Sequence, residues 1–174
     1  MISQHLPTLL AMHCFQGRSN DCGPYSAAMV LRALLQPTLD PDALALAMGR
    51  VRWIGPLPFV RRIPNWATFP WGVADILREY GLAASWKVFS TPDRLLDILS
   101  RGDIPIVFIG AWRPLWGHVM VLATHNPQQG WGFVDPAWPT SDLHWLDESA
   151  FQNRWRTFAR SVVVVRPEPF NHSF

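Results

Sequence analysis

Apolar residues recur at helical spacing in the first part of this chain, whereas they form short continuous runs in its second part. The helical spacing covers four segments: 27–35, 41–48, 72–80 and 92–101. Asp40 and Thr91 precede two of these segments as N-cap residues, and Gly49 and Gly81 follow two of them as stop signals. The pattern therefore predicts four helices, the first of which carries Cys22 in its first turn.

Short runs rich in β-branched and aromatic residues predict strands at 83–89, 104–109, 119–123, 130–134 and 161–165. Turn signals separate the later runs, and strands so close in sequence form antiparallel pairs. Because helices come first and most strands afterwards, we expect an α+β fold in which N-terminal helices pack on a C-terminal antiparallel sheet of about five strands. The 174 residues suit one domain spanning 1–174.

The segment 50–72 shows neither helical spacing nor a strand-like apolar run, because four prolines and three tryptophans interrupt it. We predict a long structured loop there.

Composition excludes several classes of protein. Hydrophobic residues make up 49% of the chain and charged residues 16%, which indicates a globular protein. A net charge of +2, without a basic stripe, argues against a nucleic-acid partner. No apolar run is long enough to span a membrane, and the N-terminus lacks the features of a secretory signal, so we expect a cytoplasmic protein. The sequence does not indicate an oligomeric state.

Cys22 is the most informative residue. It stands between the polar turn Ser19–Asp21 and a Gly-Pro pair that opens an apolar run. The free N–H groups and dipole of a helix N-terminus favour a thiolate, so the position predicts a nucleophile. A buried, inert cysteine is the alternative, and it suits Cys14 better, because that residue lies in an apolar stretch.

His118 and Asp135 are the candidate base and orienting group. A hairpin that turns near 126–130 would bring the two residues together across the sheet. A structural histidine and a simple Asp-Pro turn remain the alternatives. The other histidines and aspartates are weaker candidates. We expect His5 and His172 to lie in frayed termini, and His125, His144, Asp142 and Asp147 lie in segments predicted as loops.

Gln16, six residues before Cys22, could donate to an oxyanion together with the Cys22 backbone N–H. The sequence contains no spacing typical of metal ligands and no phosphate-binding glycine loop. We therefore expect catalysis without a metal or another cofactor.

These motifs resemble those of the papain-like, bacteriocin-processing cysteine peptidases that remove double-glycine leader peptides, and of their stand-alone relatives. In that family a glutamine precedes an Asp-Cys-Gly motif at this spacing, as Gln16 precedes Asp21–Gly23 here. A histidine begins an aliphatic strand, matched by His118–Val121, and an Asp-Pro pair follows the next strand, matched by Asp135–Pro136. The resemblance covers 16–137 and implies a papain-like fold and a Cys-His-Asp triad.

The predicted function is hydrolysis of a peptide or protein substrate by a cysteine peptidase. Two alternatives stay open: a papain-like domain that binds a peptide without cutting it, and a transglutaminase-like acyltransferase.

Trp112 and Trp116 lie in the octet that leads into His118. We predict that at least one of them lines the substrate groove beside Cys22 and favours small residues next to the scissile bond. The alternative is that both fill the core beneath the sheet.

Overall fold

The structure is a computed structural model that describes residues 1–169. Six helices lie in this part of the chain: α1 (Leu6–Ala11), α2 (Cys22–Leu34), α3 (Pro41–Gly49), α4 (Pro70–Glu79), α5 (Pro92–Ser100) and α6 (Glu148–Arg156). The strands within the same residues are β1 (Arg52–Ile54), β2 (Leu57–Phe59), β3 (Arg62–Ile63), β4 (Ala67–Thr68), β5 (Leu82–Lys87), β6 (Ile104–Trp112), β7 (Leu115–Asn126), β8 (Gly130–Val134), β9 (His144–Leu146) and β10 (Val162–Pro169).

A six-stranded antiparallel sheet organises the fold, with strand order β5-β10-β6-β7-β8-β9. Its centre is a meander in which β6, β7 and β8 follow one another through short turns. The α+β class and the antiparallel sheet are confirmed, and the sheet has one strand more than the approximate number expected.

Both faces of the sheet are buried along its central strands, because the residues that point to either face of β6 and β8 are mostly apolar. Ile106 and Phe108 of β6 join a core that includes α2, α3 and α4, whereas Val107 and Ile109 join a second core with α5 and α6. The N-terminal helices therefore pack on the sheet as expected. The opposite face is covered by helices that come later in the chain.

Local sequence signals account for the helix boundaries. The Asp40 side chain accepts a hydrogen bond from the Asp42 N–H at the start of α3, and Thr91 accepts one from the Arg94 N–H at the start of α5. Both predicted caps are confirmed. Helix α2 begins at Cys22, so the cysteine lies in its first turn, as predicted.

The prediction of a long loop at 50–72 is wrong. The segment forms two short antiparallel hairpins, β1–β2 and β3–β4, and α4 already begins at Pro70. Ion pairs of the buried Arg61 side chain hold it in place: Arg61 binds Asp75 and Glu79 of α4. These contacts join residues far apart in sequence, so local periodicity carries no signal of them.

One further expectation needs correction near the start of the chain. His5 is not in a frayed terminus, because its ring bonds to the Gly102 carbonyl and the Met1 ammonium donates to the His125 carbonyl. A bridge between Ile2 and Thr124 also ties the N-terminal residues to β7. His172 lies outside the described residues. Among residues 1–169, no helix has the length and apolar character needed to cross a bilayer.

Arg61 and Arg52 offer a matched test of how the 50–69 segment is held. Arg61 is 5% exposed and donates to Asp75 Oδ2 at 2.7 Å, whereas Arg52 is 51% exposed and reaches the same oxygen at 3.1 Å. We predict that Arg61→Met lowers the free energy of unfolding by about 2 kcal/mol, because the largely buried Asp75 carboxylate then loses its buried charged donor and keeps only exposed partners. Arg52→Met should lower it by no more than about 0.5 kcal/mol. Urea denaturation measures both values, and equal losses would contradict this account.

Candidate active site

Cys22 is the first residue of α2 and is partly exposed, at the margin of the core that includes α2. The residue before it, Asp21, occupies the N-cap position without a side-chain cap bond. Its carboxylate instead pairs with the buried guanidinium of Arg62 in β3. The start of the cysteine helix is therefore fixed by a charge from the 50–69 segment.

The β3–β4 hairpin contacts the same helix start at two more points. The Asn20 side chain donates to the Asn65 carbonyl at 2.9 Å. A Cβ at position 23 would lie 2.4 Å from Thr68 Cγ2, so glycine is required for this close approach. The hairpin thus packs directly on the turn that carries the sulfur.

His118 lies on a part of β7 that extends beyond the end of β8. The β7–β8 pairing runs as far as Val121 and Val134, after which the chain turns away at Asp135. The Nε2–H of His118 donates to Asp135 Oδ1 at 2.6 Å. The structure therefore brings the two residues together across neighbouring strands, as the hairpin argument predicts.

The segment before Cys22 contacts the loop that follows β8. The Gln16 N–H donates to the Pro136 carbonyl at 2.8 Å, and His13 Nε2 lies 3.0 Å from the Asp135 carbonyl oxygen. These bonds join the N-terminal segment to the loop after β8. As a result the start of α2 lies beside His118, close enough for the Cys22 thiol to influence its ring.

Electrostatics at His118 favour the imidazolium. Burial of the ring lowers its pKa, but hydrogen bonds and charge interactions with Asp135 and Cys22 outweigh burial and raise the pKa of His118 to about 9. The ring is therefore positively charged at neutral pH. A charged imidazolium beside a thiol is the arrangement that favours a thiolate.

Asp135 is nearly inaccessible to solvent, with 2% of its surface exposed. Burial by itself would raise its pKa, but hydrogen bonds from His118 and His144 hold the pKa of Asp135 well below its usual range. His144 Nδ1 lies 2.6 Å from Asp135 Oδ2. Asp135 is therefore a permanently ionised acceptor between two histidines.

The prediction that His144 lies in a polar loop is wrong, since it begins strand β9. The apolar residues around it, Leu143, Trp145 and Leu146, form a run that is too short to predict a strand. His144 lies next to Asp135 because β9 pairs with β8, and this pairing places His144 opposite Phe133.

Gln16 lies close to the site, but its amide is already engaged. Its Nε2 donates to the Ser19 carbonyl at 2.8 Å, which leaves one amide hydrogen for another acceptor. Its Oε1 is buried, and within the described residues it has no hydrogen-bond partner. The oxyanion role of Gln16 stays a prediction.

Trp112 and Trp116 lie on opposite faces of the β6–β7 hairpin, because Trp112 pairs with Leu115 and Trp116 with Ala111. Trp112 is 68% exposed and stacks on Phe158 with ring centroids 6.5 Å apart. Trp116 is 36% exposed and lies below the Arg154 guanidinium. The alternative that both fill the core does not hold, and their part in substrate binding stays a prediction.

The assembled site can perform nucleophilic chemistry. It combines a partly exposed thiol at a helix start, a charged imidazole beside it and a buried carboxylate that orients the ring. Among residues 1–169, no group of three or more histidine, cysteine or acidic side chains is arranged to hold a metal ion.

Comparisons with known proteins bear on the fold. The sequence matches no family model and no curated protein. The structure is similar to that of a candidate C39-like peptidase from Bacillus anthracis, with a TM-score of 0.72 and 16% identity over 97% of this chain and 98% of the other. It is also similar to a double-glycine motif protease of an AMS/PCAT transporter in complex with a leader peptide, with a TM-score of 0.61 and 16% identity over 90% and 91% of the two chains. The chain therefore has the papain-like α+β fold of the C39-like peptidases.

Proposed function

We propose that this protein is a cysteine peptidase in which Cys22, His118 and Asp135 form the catalytic triad. The observation that carries the proposal is the placement of the His118 ring, which bonds to a buried carboxylate through Nε2 and neighbours the Cys22 thiol. Since Nε2 is engaged by Asp135, Nδ1 is the ring nitrogen left to exchange protons with the sulfur.

In the acylation step, the Cys22 thiolate attacks the carbonyl carbon of the scissile peptide bond. The π electrons of the carbonyl move to its oxygen and a tetrahedral oxyanion forms. When the oxyanion collapses, the C–N bond breaks and the His118 imidazolium gives its proton to the departing amine. The acyl group is then held on Cys22 as a thioester, and His118 is neutral.

In the deacylation step, neutral His118 removes a proton from water, and the resulting hydroxide attacks the thioester carbonyl. Collapse of the second oxyanion releases the carboxylic acid and returns the sulfur as a thiolate. His118 is again an imidazolium, so the resting ion pair is restored. Asp135 remains ionised throughout and orients the ring.

The oxyanion needs donors that are already in position. The Cys22 backbone N–H is one, because the first N–H groups of α2 have no acceptor within the helix. The remaining amide hydrogen of Gln16 is the second donor in this proposal, supported by the anchoring of Gln16 to the Pro136 and Ser19 carbonyls.

The proposed substrate is a peptide or protein chain. Trp112 is the tryptophan we assign to the groove, since it lies on the same side of β6 as Phe108, whose core Cys22 borders. Exposed aromatic rings at the rim would leave room for small side chains beside the scissile bond. Both cysteines are free thiols, in keeping with a reducing compartment such as the cytoplasm, where we propose that the protein acts.

Cys22→Ala should abolish peptide hydrolysis and remove the iodoacetamide-reactive thiol at mildly acidic pH, because the only thiol paired with an imidazolium is lost. Cys14→Ala is the matched control, since burial raises the pKa of the Cys14 thiol above its usual value. Mass spectrometry of the labelled protein measures the loss of the reactive thiol. Mass spectrometry of a peptide library, incubated with the protein with and without an added amine, measures the loss of hydrolysis. Labelling of Cys14 in preference to Cys22 would contradict the assignment.

The same library separates the alternatives. Cleaved peptides support hydrolysis, whereas amine-linked peptides indicate acyl transfer. Peptides that are retained but unchanged indicate a binding domain, and either of the last two results overturns the proposed peptidase.

The reaction of Cys22 with iodoacetate should fall as pH rises through about 9, because the positive charge of His118 that attracts this anion is then lost. Asp135→Asn removes the carboxylate that favours the imidazolium, so the falling limb should move to lower pH by about one unit or more. Rates measured by mass spectrometry from mildly acidic to alkaline pH test both statements. An unchanged limb in Asp135→Asn would remove Asp135 from the triad.

Trp112→Ala should widen the range of residues accepted next to the scissile bond, because the ring that narrows the groove is gone. Trp116→Ala is the comparison variant, since Trp116 lies on the other face of the same hairpin, the face that it shares with His118 in β7. Sequencing the products of a peptide library with each variant measures the preference. An unchanged preference in Trp112→Ala, or a change only in Trp116→Ala, would overturn the assignment of Trp112 to the groove.

A further inference from the structure

The second oxygen of the Asp135 carboxylate has a partner of its own. Oδ1 accepts from His118 Nε2 and from the Ala137 N–H, at 2.6 and 2.8 Å. Oδ2 lies 2.6 Å from His144 Nδ1. With 3% of the Asp135 side chain exposed, solvent is almost excluded as an alternative donor. A triad of Cys22, His118 and Asp135 does not account for this fourth side chain.

His144 reaches Asp135 from an independent strand. It lies opposite Phe133 at the start of β9, which forms the edge of the central sheet. Helix α6 begins directly after β9, and the Asp147 side chain caps it by accepting from the Ala150 N–H at 2.8 Å. The backbone that carries His144 is therefore held separately from the loop that carries Asp135.

Trp138 restricts the His144 ring from its other side. The two rings stack with centroids 4.8 Å apart and an interplanar angle of 13°. Trp138 is itself tied to the loop after β8, because its N–H donates to the Asp135 carbonyl at 3.1 Å. The indole covers His144 and leaves its ring few orientations.

We infer that His144 is a positioning residue: its Nδ1–H holds Oδ2 of Asp135 and so fixes the plane of the carboxylate that orients His118. The inference deepens the proposed peptidase function and rests on it. A carboxylate held through one oxygen alone can rotate about its Cβ–Cγ bond, because this torsion has broad energy wells. A second donor, on a different strand, removes that freedom and keeps Oδ1 aimed at the His118 ring.

The geometry demands one tautomer of His144. An ionised carboxylate only accepts hydrogen bonds, so Nδ1 of His144 must carry a hydrogen. For the same reason, Nε2 of His118 carries a hydrogen. A histidine that merely filled space at this position would have no such requirement.

Two substitutions separate positioning from packing. Asparagine in His144→Asn presents an amide N–H close to the location of Nδ1, whereas His144→Leu fills similar space without a donor. At mildly acidic pH the rate of Cys22 alkylation by iodoacetamide should fall about tenfold in His144→Leu, since the ring that pairs with the thiolate is no longer aimed. In His144→Asn it should stay within about threefold of the native rate.

Equal rates in native protein and His144→Leu would overturn the inference, and so would an equal loss in both variants. Thermal unfolding of each variant identifies a loss that comes from misfolding. If His144→Leu does not fold, the native protein still supplies a test, because nitrogen-15 NMR reports which ring nitrogen of each histidine carries hydrogen. Hydrogen on Nδ1 of His144 at neutral pH supports the inference, and a neutral ring with hydrogen only on Nε2 overturns it.

Different results contradict the peptidase function and the role of His144. Native Cys22 that does not react with iodoacetamide at mildly acidic pH contradicts the proposed peptidase itself. A reactive Cys22 together with the wrong His144 tautomer contradicts the role of His144 alone.

Discussion

The buried carboxylate of Asp135 is the constraint on which the site depends. An ionised carboxylate removed from water is costly unless its oxygens are bonded to donors, and here three donors supply those bonds. They come from three places in the fold: His118 on β7, His144 on β9 and the Ala137 N–H of the loop itself. The edge of the sheet is therefore organised around a single negative charge.

The same charge determines the chemistry available to Cys22. Asp135 favours the positive form of His118, whose ring lies beside Cys22. This arrangement is a property of the assembled site, since Cys22 and His118 come from segments almost a hundred residues apart in sequence.

A second set of contacts positions Cys22 from the opposite direction. The β3–β4 hairpin pairs Arg62 with Asp21 and packs Thr68 against Gly23, and Arg61 ties the hairpin to α4. The segment 50–69 therefore supports the start of α2 as a structural part of the site.

Elements governed by local chemistry were predictable from the sequence. Asp40 and Thr91 cap α3 and α5 through their own side chains, Cys22 begins α2 where the Gly-Pro pair follows it, and β8 occupies 130–134 as expected from its apolar run. The proximity of His118 and Asp135 was also predictable, because a short hairpin determines which residues meet across it. Only the tertiary structure decided the rest. The hairpins of 50–69 depend on buried arginine pairs, and His144 meets Asp135 through the pairing of β9 with β8. Both are contacts between residues separated in sequence, and short periodic patterns carry no information about such contacts.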